Sequence, residues 1–196
     1  GIIAISINEG DNLLDVALTN GDNFIVIAGQ EGKAVRFHEA GIRPMGRGAA
    51  GVKGITLENE TKAIGMICVS RLDTQLLVVS ENGYGKRSDL EEFRVTSRGA
   101  KGVKSLQVSD KTGKLVAIKE VTDEDDLMII TVNGIAIRMN VSDLRVMGRA
   151  TQGVRLIKLN SNDAIASVTR ITREEEVEET SEGSSDSVEN DVEPQN

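Results

Sequence analysis

The sequence predicts an all-β protein, a propeller-like array of four-stranded repeats of about 51 residues. One motif occurs three times at this spacing, as MGRGAAGVKG at 45–54, TSRGAKGVKS at 96–105 and MGRATQGVRL at 147–156. Around it lie short runs rich in β-branched residues, without the long 3.6-residue periodicity of helices. Repeats of this length with several strands each are typical of blades arranged around an axis.

The repeat units start at residues 1, 51, 102 and 153, which gives about three and a half blades over residues 1–172. Predicted strands are 51–57, 63–69, 75–80 and 84–88 in the second unit, and 102–108, 114–121, 126–132 and 135–141 in the third. The polar stretch 41–50 is long enough to lead to the rim of the next blade, so we expect neighbouring blades to exchange strands. The best helix candidate is the segment 88–93.

The connections between the third and fourth strands predict tight hairpins. Asn82-Gly83 and Asn133-Gly134 stand between apolar runs, and Asn-Gly favours a two-residue turn with positive φ at both residues. The first unit carries Gln30-Glu31-Gly32 at this place, which predicts a looser version of the same turn.

Charge is segregated along the chain. Residues 173–196 hold ten acidic residues and one Arg, while the formal net charge of the whole chain is −8. Low hydrophobicity and high charge predict a disordered acidic tail, either a solubility tail or a competitor that folds back onto basic windows. Those windows, 32–53, 83–104 and 134–155, hold 15 basic and 5 acidic residues, and the rest of the core is acidic.

The sequence shows no constellation for catalysis or metal binding. It lacks a Walker-type phosphate loop, a Gly-x-Ser-x-Gly elbow and a His-Glu-x-x-His pair. His38 is the only histidine, Tyr84 has no base beside it, and the lone Cys68 is predicted to be a buried small hydrophobe. No stretch can span a bilayer and nothing resembles a signal peptide, so we expect a reducing, cytoplasmic setting.

Basic residues recur at four places of each repeat. The registers are Arg36, Arg87 and Arg138; Arg43, Arg94 and Arg145; Arg47, Arg98 and Arg149; and Lys53, Lys104 and Arg155. Because one sequence position maps to one rim of a repeat array, we expect a belt of Arg and Lys. Edge-strand charges that block sheet pairing are the alternative, but they need not recur in register. Glycines beside the arginines are expected to leave backbone amides open, and Arg with open amides suits phosphate.

A curved basic belt suits duplex DNA. Bending a site of 20–30 base pairs costs on the order of 1–6 kcal/mol, which about ten phosphate contacts can offset. Neither a recognition helix nor a zinc finger is present for base readout, and few aromatic residues are available to stack single strands. The sequence therefore predicts binding and bending of duplex DNA without sequence preference. The alternative is a protein-interaction propeller whose basic rim docks an acidic partner.

The units MGRGAAGVKGITL, TSRGAKGVKSLQV and MGRATQGVRLIKL resemble blades of the C-terminal domain of the DNA gyrase A protein, over residues 1–172. This resemblance implies a β-pinwheel that wraps DNA in a positive sense within an ATP-dependent type IIA topoisomerase that introduces negative supercoils. It also implies an A2B2 holoenzyme in the bacterial cytoplasm, without a membrane partner, in which the gyrase B protein binds ATP and Mg²⁺. The chain itself is expected to carry neither a cofactor nor catalytic residues. Carried over by position, the DNA-binding residues are Arg43, Arg47, Lys53, Arg94, Arg98, Lys101, Lys104, Arg145, Arg149 and Arg155.

The chain departs from the family in two respects. The signature box Gln-Arg-Arg-Gly-Gly-Lys-Gly is absent, with SRGAKG at 97–102 as a degenerate counterpart, and the breakage-reunion region with its catalytic tyrosine is missing. We therefore expect a chain truncated to the last three blades and part of a fourth, which binds DNA but wraps it poorly. The corresponding pinwheel of topoisomerase IV is the alternative within the family; the acidic tail and the regular motifs favour gyrase.

Overall fold

Short strands make up nearly all of the regular structure in the computed structural model, which describes residues 1–58, 60–69 and 71–172. The strands are β1 (Phe24–Gly29), β2 (Lys33–His38), β3 (Ala63–Val69), β4 (Gln75–Ser80), β5 (Tyr84–Asp89), β6 (Val103–Lys104), β7 (Leu115–Val121), β8 (Asp125–Thr131), β9 (Ala136–Asn140), β10 (Val154–Arg155) and β11 (Ile165–Thr172). Single 3₁₀ turns follow β2, β5 and β9, at Glu39–Gly41, Leu90–Glu92 and Val141–Asp143. Within these ranges no helix is long and apolar enough to cross a membrane. The predicted disordered tail, 173–196, lies outside the described residues.

The strands form three antiparallel sheets, which we call blades 1, 2 and 3. The strand order is β3-β1-β2-β6 in blade 1, β7-β4-β5-β10 in blade 2 and β11-β8-β9 in blade 3. Neighbouring blades meet through β3, β7 and β11, which line a shared cavity of about 210 Å³ together with Leu14 and Asp15. Because these strands face the interior, β6 and β10 form the outer edges of their blades.

Each blade takes its strands from successive repeat units. In blade 1 the hairpin β1–β2 comes from the unit at residue 1, β3 from the unit at 51 and β6 from the unit at 102. Blade 2 repeats this arrangement one unit later. The predicted exchange of strands is confirmed, and a blade does not coincide with one repeat unit.

Apolar residues on both faces of β4 hold the blades together. Leu76 and Val78 point into the cluster between blades 1 and 2, and Leu77 and Val79 into the cluster between blades 2 and 3. All four are at most 1% exposed. A continuous apolar run, rather than an alternating one, is what a strand buried on both faces requires.

The three hairpins share one turn, which differs from the predicted type. Gly32, Gly83 and Gly134 have φ of 78°, 78° and 84°, while no asparagine in these turns has a positive φ. The amide of each glycine donates to the carbonyl three residues earlier, at 3.0 Å in all three turns. This is a three-residue connection in which only the last residue has left-handed backbone angles. The glycine at that position therefore determines the turn conformation, and the asparagine does not. The first unit is therefore no looser than the others.

The first strand of each predicted unit is short or missing. Of 102–108 only Val103–Lys104 is a strand, and 51–57 forms none, so those predictions are wrong. The reason is the distant partner: Lys104 pairs with Lys33, 71 residues earlier. Residues 51–57 pair with no strand within the described ranges.

Candidate nucleic-acid interface

The second motif copy runs along the outer edge of blade 1. Val95 forms a parallel bridge with Arg36, and the Thr96 amide donates to the Arg36 carbonyl at 2.8 Å. Further along the same strand, Lys104 pairs with Lys33. We call residues 94–104 edge segment 1; it covers the open side of β2, which would otherwise expose unpaired backbone groups.

The third motif copy covers the same edge of blade 2. Val146 bridges Arg87, the Met147 amide donates to the Arg87 carbonyl at 2.8 Å, and Arg155 pairs with Tyr84. We call residues 145–155 edge segment 2. The two edge segments carry seven of the ten predicted DNA-binding residues, namely Arg94, Arg98, Lys101, Lys104, Arg145, Arg149 and Arg155. Six of these side chains are exposed and Arg149 is half-buried.

The first motif copy is not placed on a blade edge. Arg43, Arg47 and Lys53 are exposed, but their segment contacts residues near the amino terminus instead of a hairpin. The Ser6 hydroxyl donates to the Gly48 carbonyl at 3.1 Å. The structure therefore places the candidate residues of the second and third copies on blade edges. The first copy lies on no edge, but it meets edge segment 1, because the Lys53 carbonyl accepts from Arg98 and the Gly54 carbonyl accepts from the Gly99 amide.

Two arginines of the edge segments are anchored by the same contact. Arg98 donates to the Lys53 carbonyl at 3.4 Å and to the Gly41 carbonyl at 3.1 Å. One repeat later, Arg149 donates to the Lys104 carbonyl at 3.0 Å. Each guanidinium uses part of its five-donor fork on the protein, and the remaining N–H groups can contact a ligand.

The peptide group between Gly148 and Arg149 is held from both sides. The Lys86 ammonium donates to the Gly148 carbonyl at 2.5 Å, and the Arg149 amide donates to the Glu92 carboxylate at 2.7 Å. Lys86 is fully buried. Burial lowers the pKa of Lys86 to about 8, with the Glu92 charge opposing this shift and the Arg149 charge adding to it.

Sequence reasoning missed Lys86 because it does not recur. The positions one repeat away from Lys86 are Val35 and Ile137. A lysine inside a strand whose counterparts are apolar is the signal that could have identified it.

Two motif glycines are required by contact with the protein, not by a ligand. Gly102 and Gly153 have φ of 76° and 77°, and a Cβ there would lie 2.5 Å from the Ala34 carbonyl oxygen and 2.4 Å from the Gly85 carbonyl oxygen. Gly148 differs, because the nearest atom to a Cβ there would be a Glu92 carboxylate oxygen at 3.9 Å, an ordinary contact distance.

The first basic register does not belong to the belt. Arg36 and Arg87 are only 5% and 6% exposed. Arg36 donates to the carbonyls of Leu90 and Phe93 at 3.1 and 3.3 Å, and Arg87 donates to the Leu144 carbonyl. Both guanidinium groups bind the 3₁₀-turn region of the next blade, so their recurrence is structural. Spacing alone could not separate them from the exposed registers.

The third member of that register pairs within its own sheet. Arg138 donates to the Asp126 carboxylate from Nε at 2.8 Å and from a terminal nitrogen at 2.6 Å. Asp126 is 5% exposed, so the guanidinium compensates a buried carboxylate.

An acidic residue neutralises part of edge segment 1. Glu58 lies 2.8 Å from the Lys33 ammonium and 3.4 Å from that of Lys101. The hydrogen bond and charge of Lys33, followed by those of Lys101, hold the pKa of Glu58 below its usual value. Lys101 therefore faces a local counter-charge that the other candidate residues of the segment do not.

His38 and Cys68 have structural surroundings. His38 accepts from the Ala40 amide at 3.1 Å, and its other ring nitrogen is 3.0 Å from Asp22. Cys68 is half-buried beside the cluster that contains Phe37, and burial raises the pKa of its thiol. Among the described residues no group of three or more His, Cys, Asp and Glu could hold a metal ion.

The order of strands and edge segments agrees with a known family. The sequence profile described as "DNA gyrase C-terminal domain, beta-propeller" matches residues 1–20, 23–70, 74–122 and 125–172. The chain belongs to this family. The last three matches each contain one hairpin and the interior strand that pairs with it, and the last two also contain the short edge strand of the preceding blade.

Curated relatives in the family are gyrase A proteins. The DNA gyrase A protein of Staphylococcus epidermidis is 42% identical over 177 residues, which is 90% of this chain and 20% of the relative. Its counterpart in Staphylococcus aureus is 42% identical over 183 residues, which is 93% of this chain and 20% of the relative. The chain thus spans about a fifth of the length of these relatives.

Solved structures in the family share the fold. A DNA gyrase A C-terminal domain superposes with a TM-score of 0.79 at 27% identity, covering 87% of this chain and 58% of that one. The C-terminal domain of a DNA topoisomerase IV superposes with a TM-score of 0.80 at 24% identity, covering 89% and 57%. The predicted family and the predicted all-β pinwheel are confirmed.

Proposed function

We propose that the blade edges bind the phosphate backbone of duplex DNA without sequence preference and bend the duplex around them. The observation that carries this proposal is the placement of the two edge segments on equivalent edges of successive blades. Edge segment 1 holds four basic and no acidic residues, and edge segment 2 holds three basic and no acidic residues. A ligand that follows the rim therefore meets cations on each blade in turn.

The chemistry of these edges favours phosphate over a base. Arg98 and Arg149 are oriented by backbone carbonyls, so they lose less side-chain entropy when a phosphate binds. Since phosphates repeat about every 1.7 Å along the duplex axis, a row of cations finds partners whatever the base sequence. The described residues contain no helix that could enter a major groove.

Within the family, the chain serves an ATP-dependent type IIA topoisomerase that introduces negative supercoils, and the bent duplex is wrapped in a positive sense. Its partners are a second gyrase A protein and two gyrase B proteins in the bacterial cytoplasm, and ATP and Mg²⁺ belong to gyrase B. The gyrase A relatives support this assignment. The part of the chain described in the structure offers basic blade edges, which fits a role in holding DNA.

Salt-dependent binding of a random 40-base-pair duplex tests the DNA interface. We expect log K to fall linearly with log salt, by about 0.9 per phosphate contacted, for unrelated duplex sequences alike. Arg98→Glu combined with Arg149→Glu should abolish most of this binding, while Lys62→Glu combined with Lys114→Glu, two exposed lysines outside the edge segments, changes the charge equally and should bind far better. Binding of an acidic protein without binding of duplex would instead support the alternative, an interaction propeller.

Bending and wrapping need a separate measurement. Circular DNA relaxed by a nicking-closing enzyme in the presence of the chain should change its linking number in proportion to bound protein if a wrap is trapped. A linking number unchanged at saturating protein would show that the chain holds DNA without wrapping it.

A further inference from the structure

A cationic pocket adjoins edge segment 2. It is a cavity of about 340 Å³ between the β4–β5 hairpin and the chain that follows β10, and Tyr84, Lys111, Arg155, Lys158 and Asp163 are among its lining residues. Only Arg155 belongs to the residues expected to bind DNA. The pocket thus brings two further lysines and the only tyrosine of the chain to the rim.

The cations of the pocket are arranged around the tyrosine. Arg155 donates to the Tyr84 hydroxyl at 2.8 Å, and its guanidinium carbon lies 5.4 Å from the ring centroid. The Lys111 ammonium lies 5.3 Å from the same centroid. Because the hydroxyl oxygen accepts from Arg155, its own proton can be donated to a ligand.

The pocket is short of internal counter-charge. In the described residues, Lys111, Arg155 and Lys158 form no ion pair with a carboxylate. The lining carboxylate, Asp163, accepts from the backbone amides of Asn133 and Ala164 at 3.1 and 2.9 Å. Both amides bind the same oxygen of Asp163, and three cations therefore face this one carboxylate.

The equivalent place on blade 1 carries a paired counter-charge. One repeat earlier, Lys33 and Lys104 stand where blade 2 has Tyr84 and Arg155, and Glu58 stands where blade 2 has Ser109. Glu58 binds the Lys33 ammonium at 2.8 Å. The two blades share the fold of this corner, but a carboxylate pairs with Lys33 on blade 1, whereas in the described residues none pairs with the pocket cations of blade 2.

We propose that the Tyr84 pocket binds one phosphate group, and that this group is a backbone phosphate of the duplex held by edge segment 2. A tetrahedral oxyanion can accept from the Arg155 guanidinium, the Tyr84 hydroxyl and the two ammonium groups at once. The proposal rests on the DNA binding proposed above. It adds a discrete anchoring site to a rim of otherwise exposed charges.

Duplex binding is the first arm of the test. Lys111→Gln combined with Lys158→Gln should lower the affinity about three- to tenfold at 0.1 M salt and reduce the salt slope by about one to two contacts. Lys62→Gln combined with Lys114→Gln removes the same charge elsewhere and should change the affinity less than twofold. Equal losses in the two double variants, or no loss in the pocket variant, would overturn the DNA-anchoring role.

Tyrosine fluorescence is the second arm, because the chain has one tyrosine and no tryptophan. Titration with inorganic pyrophosphate should change the Tyr84 emission saturably in the unmodified chain and not in the pocket variant, with matching circular dichroism showing that both are folded. No change in either protein would overturn the phosphate site. If pyrophosphate binds but the unmodified chain binds no duplex, the phosphate site stands and the proposed DNA-binding function is wrong.

Discussion

The guanidinium of Arg87 in β5 donates to the carbonyl oxygen of Leu144, the residue that follows the 3₁₀ turn of blade 3. One repeat earlier, Arg36 makes the equivalent contact with the Phe93 carbonyl at 3.3 Å. The two pairs are related by the 51-residue repeat. These buried contacts join successive blades. Arg94 and Arg145, which belong to an exposed register, lie a few residues away on the surface.

Replacing Arg87 should therefore affect stability and leave DNA binding intact. Arg87→Met removes the donor to a buried carbonyl, so we expect the free energy of unfolding to fall by about 2–3 kcal/mol. Arg94→Met changes an exposed residue and should cost less than about 0.5 kcal/mol. Urea unfolding measures both values. If Arg87→Met matched Arg94→Met in stability but weakened duplex binding, Arg87 would belong to the interface after all.

The motif glycines offer a matched pair for testing close packing. Gly153 and Gly51 both have positive φ, but a Cβ would meet the Gly85 carbonyl oxygen at 2.4 Å from Gly153 and nothing within 4 Å from Gly51. Gly51→Ala should cost only the left-handed strain of about 1–2 kcal/mol. Gly153→Ala adds overpacking and should cost about 2–4 kcal/mol in total. Equal destabilisation of the two variants would contradict the close approach of edge segment 2 to β5.

The strands themselves were predictable because they depend on local sequence. The apolar runs 63–69 and 75–80 form strands at those bounds. The exchange of strands between blades was predicted, but not that β3 is the strand that leaves its own repeat unit to pair with β1. Pairing is decided by contacts far apart in sequence, and the 51-residue period does not contain that information.

The interface was predictable to the extent that exposure follows the repeat. Arg98 and Arg149 occupy the same position and make the same backbone contact, as a register requires. Arg36 recurs just as regularly but is buried. A repeat period shows which positions are equivalent, but it does not show which of them are exposed to solvent. Lys86 and Tyr84 break the repeat. The apolar counterparts of Lys86 could have singled it out in the sequence, but its contacts with the Gly148 carbonyl are visible only in the structure.

Removing the counter-charge on blade 1 should strengthen DNA binding. Glu58→Gln frees Lys33 and Lys101 from a carboxylate at 2.8 and 3.4 Å, so we expect a two- to fivefold gain in duplex affinity and a salt slope steeper by about one contact. Glu60→Gln makes the same charge change two residues along, where no ion pair with a described residue is present, and should have a smaller effect. Equal gains would mean that only the net charge matters, and no gain would place Lys33 and Lys101 outside the path of the duplex.

The buried ammonium of Lys86 should make stability rise with pH. Its pKa is lowered from 10.5 to about 8 in the folded chain, because burial disfavours the charged form. Between these two pH values the unfolded chain binds more protons than the folded one, so the free energy of unfolding increases as pH rises through the window, and this gain is absent below pH 8. The whole effect is about 3 kcal/mol, at 1.36 kcal/mol for each pKa unit.

The comparison that isolates this effect is the stability of the unmodified chain relative to Lys86→Met, measured by urea unfolding from pH 7 to 10.5. The difference should stay constant below pH 8 and then shift in favour of the unmodified chain, since methionine fills the site without titrating. Lys114→Met, at an exposed lysine, provides the control and should show no such shift. A flat difference for Lys86→Met across the window would mean that the ammonium is hydrated, and that the Gly148–Arg149 peptide group is not held by a buried charge.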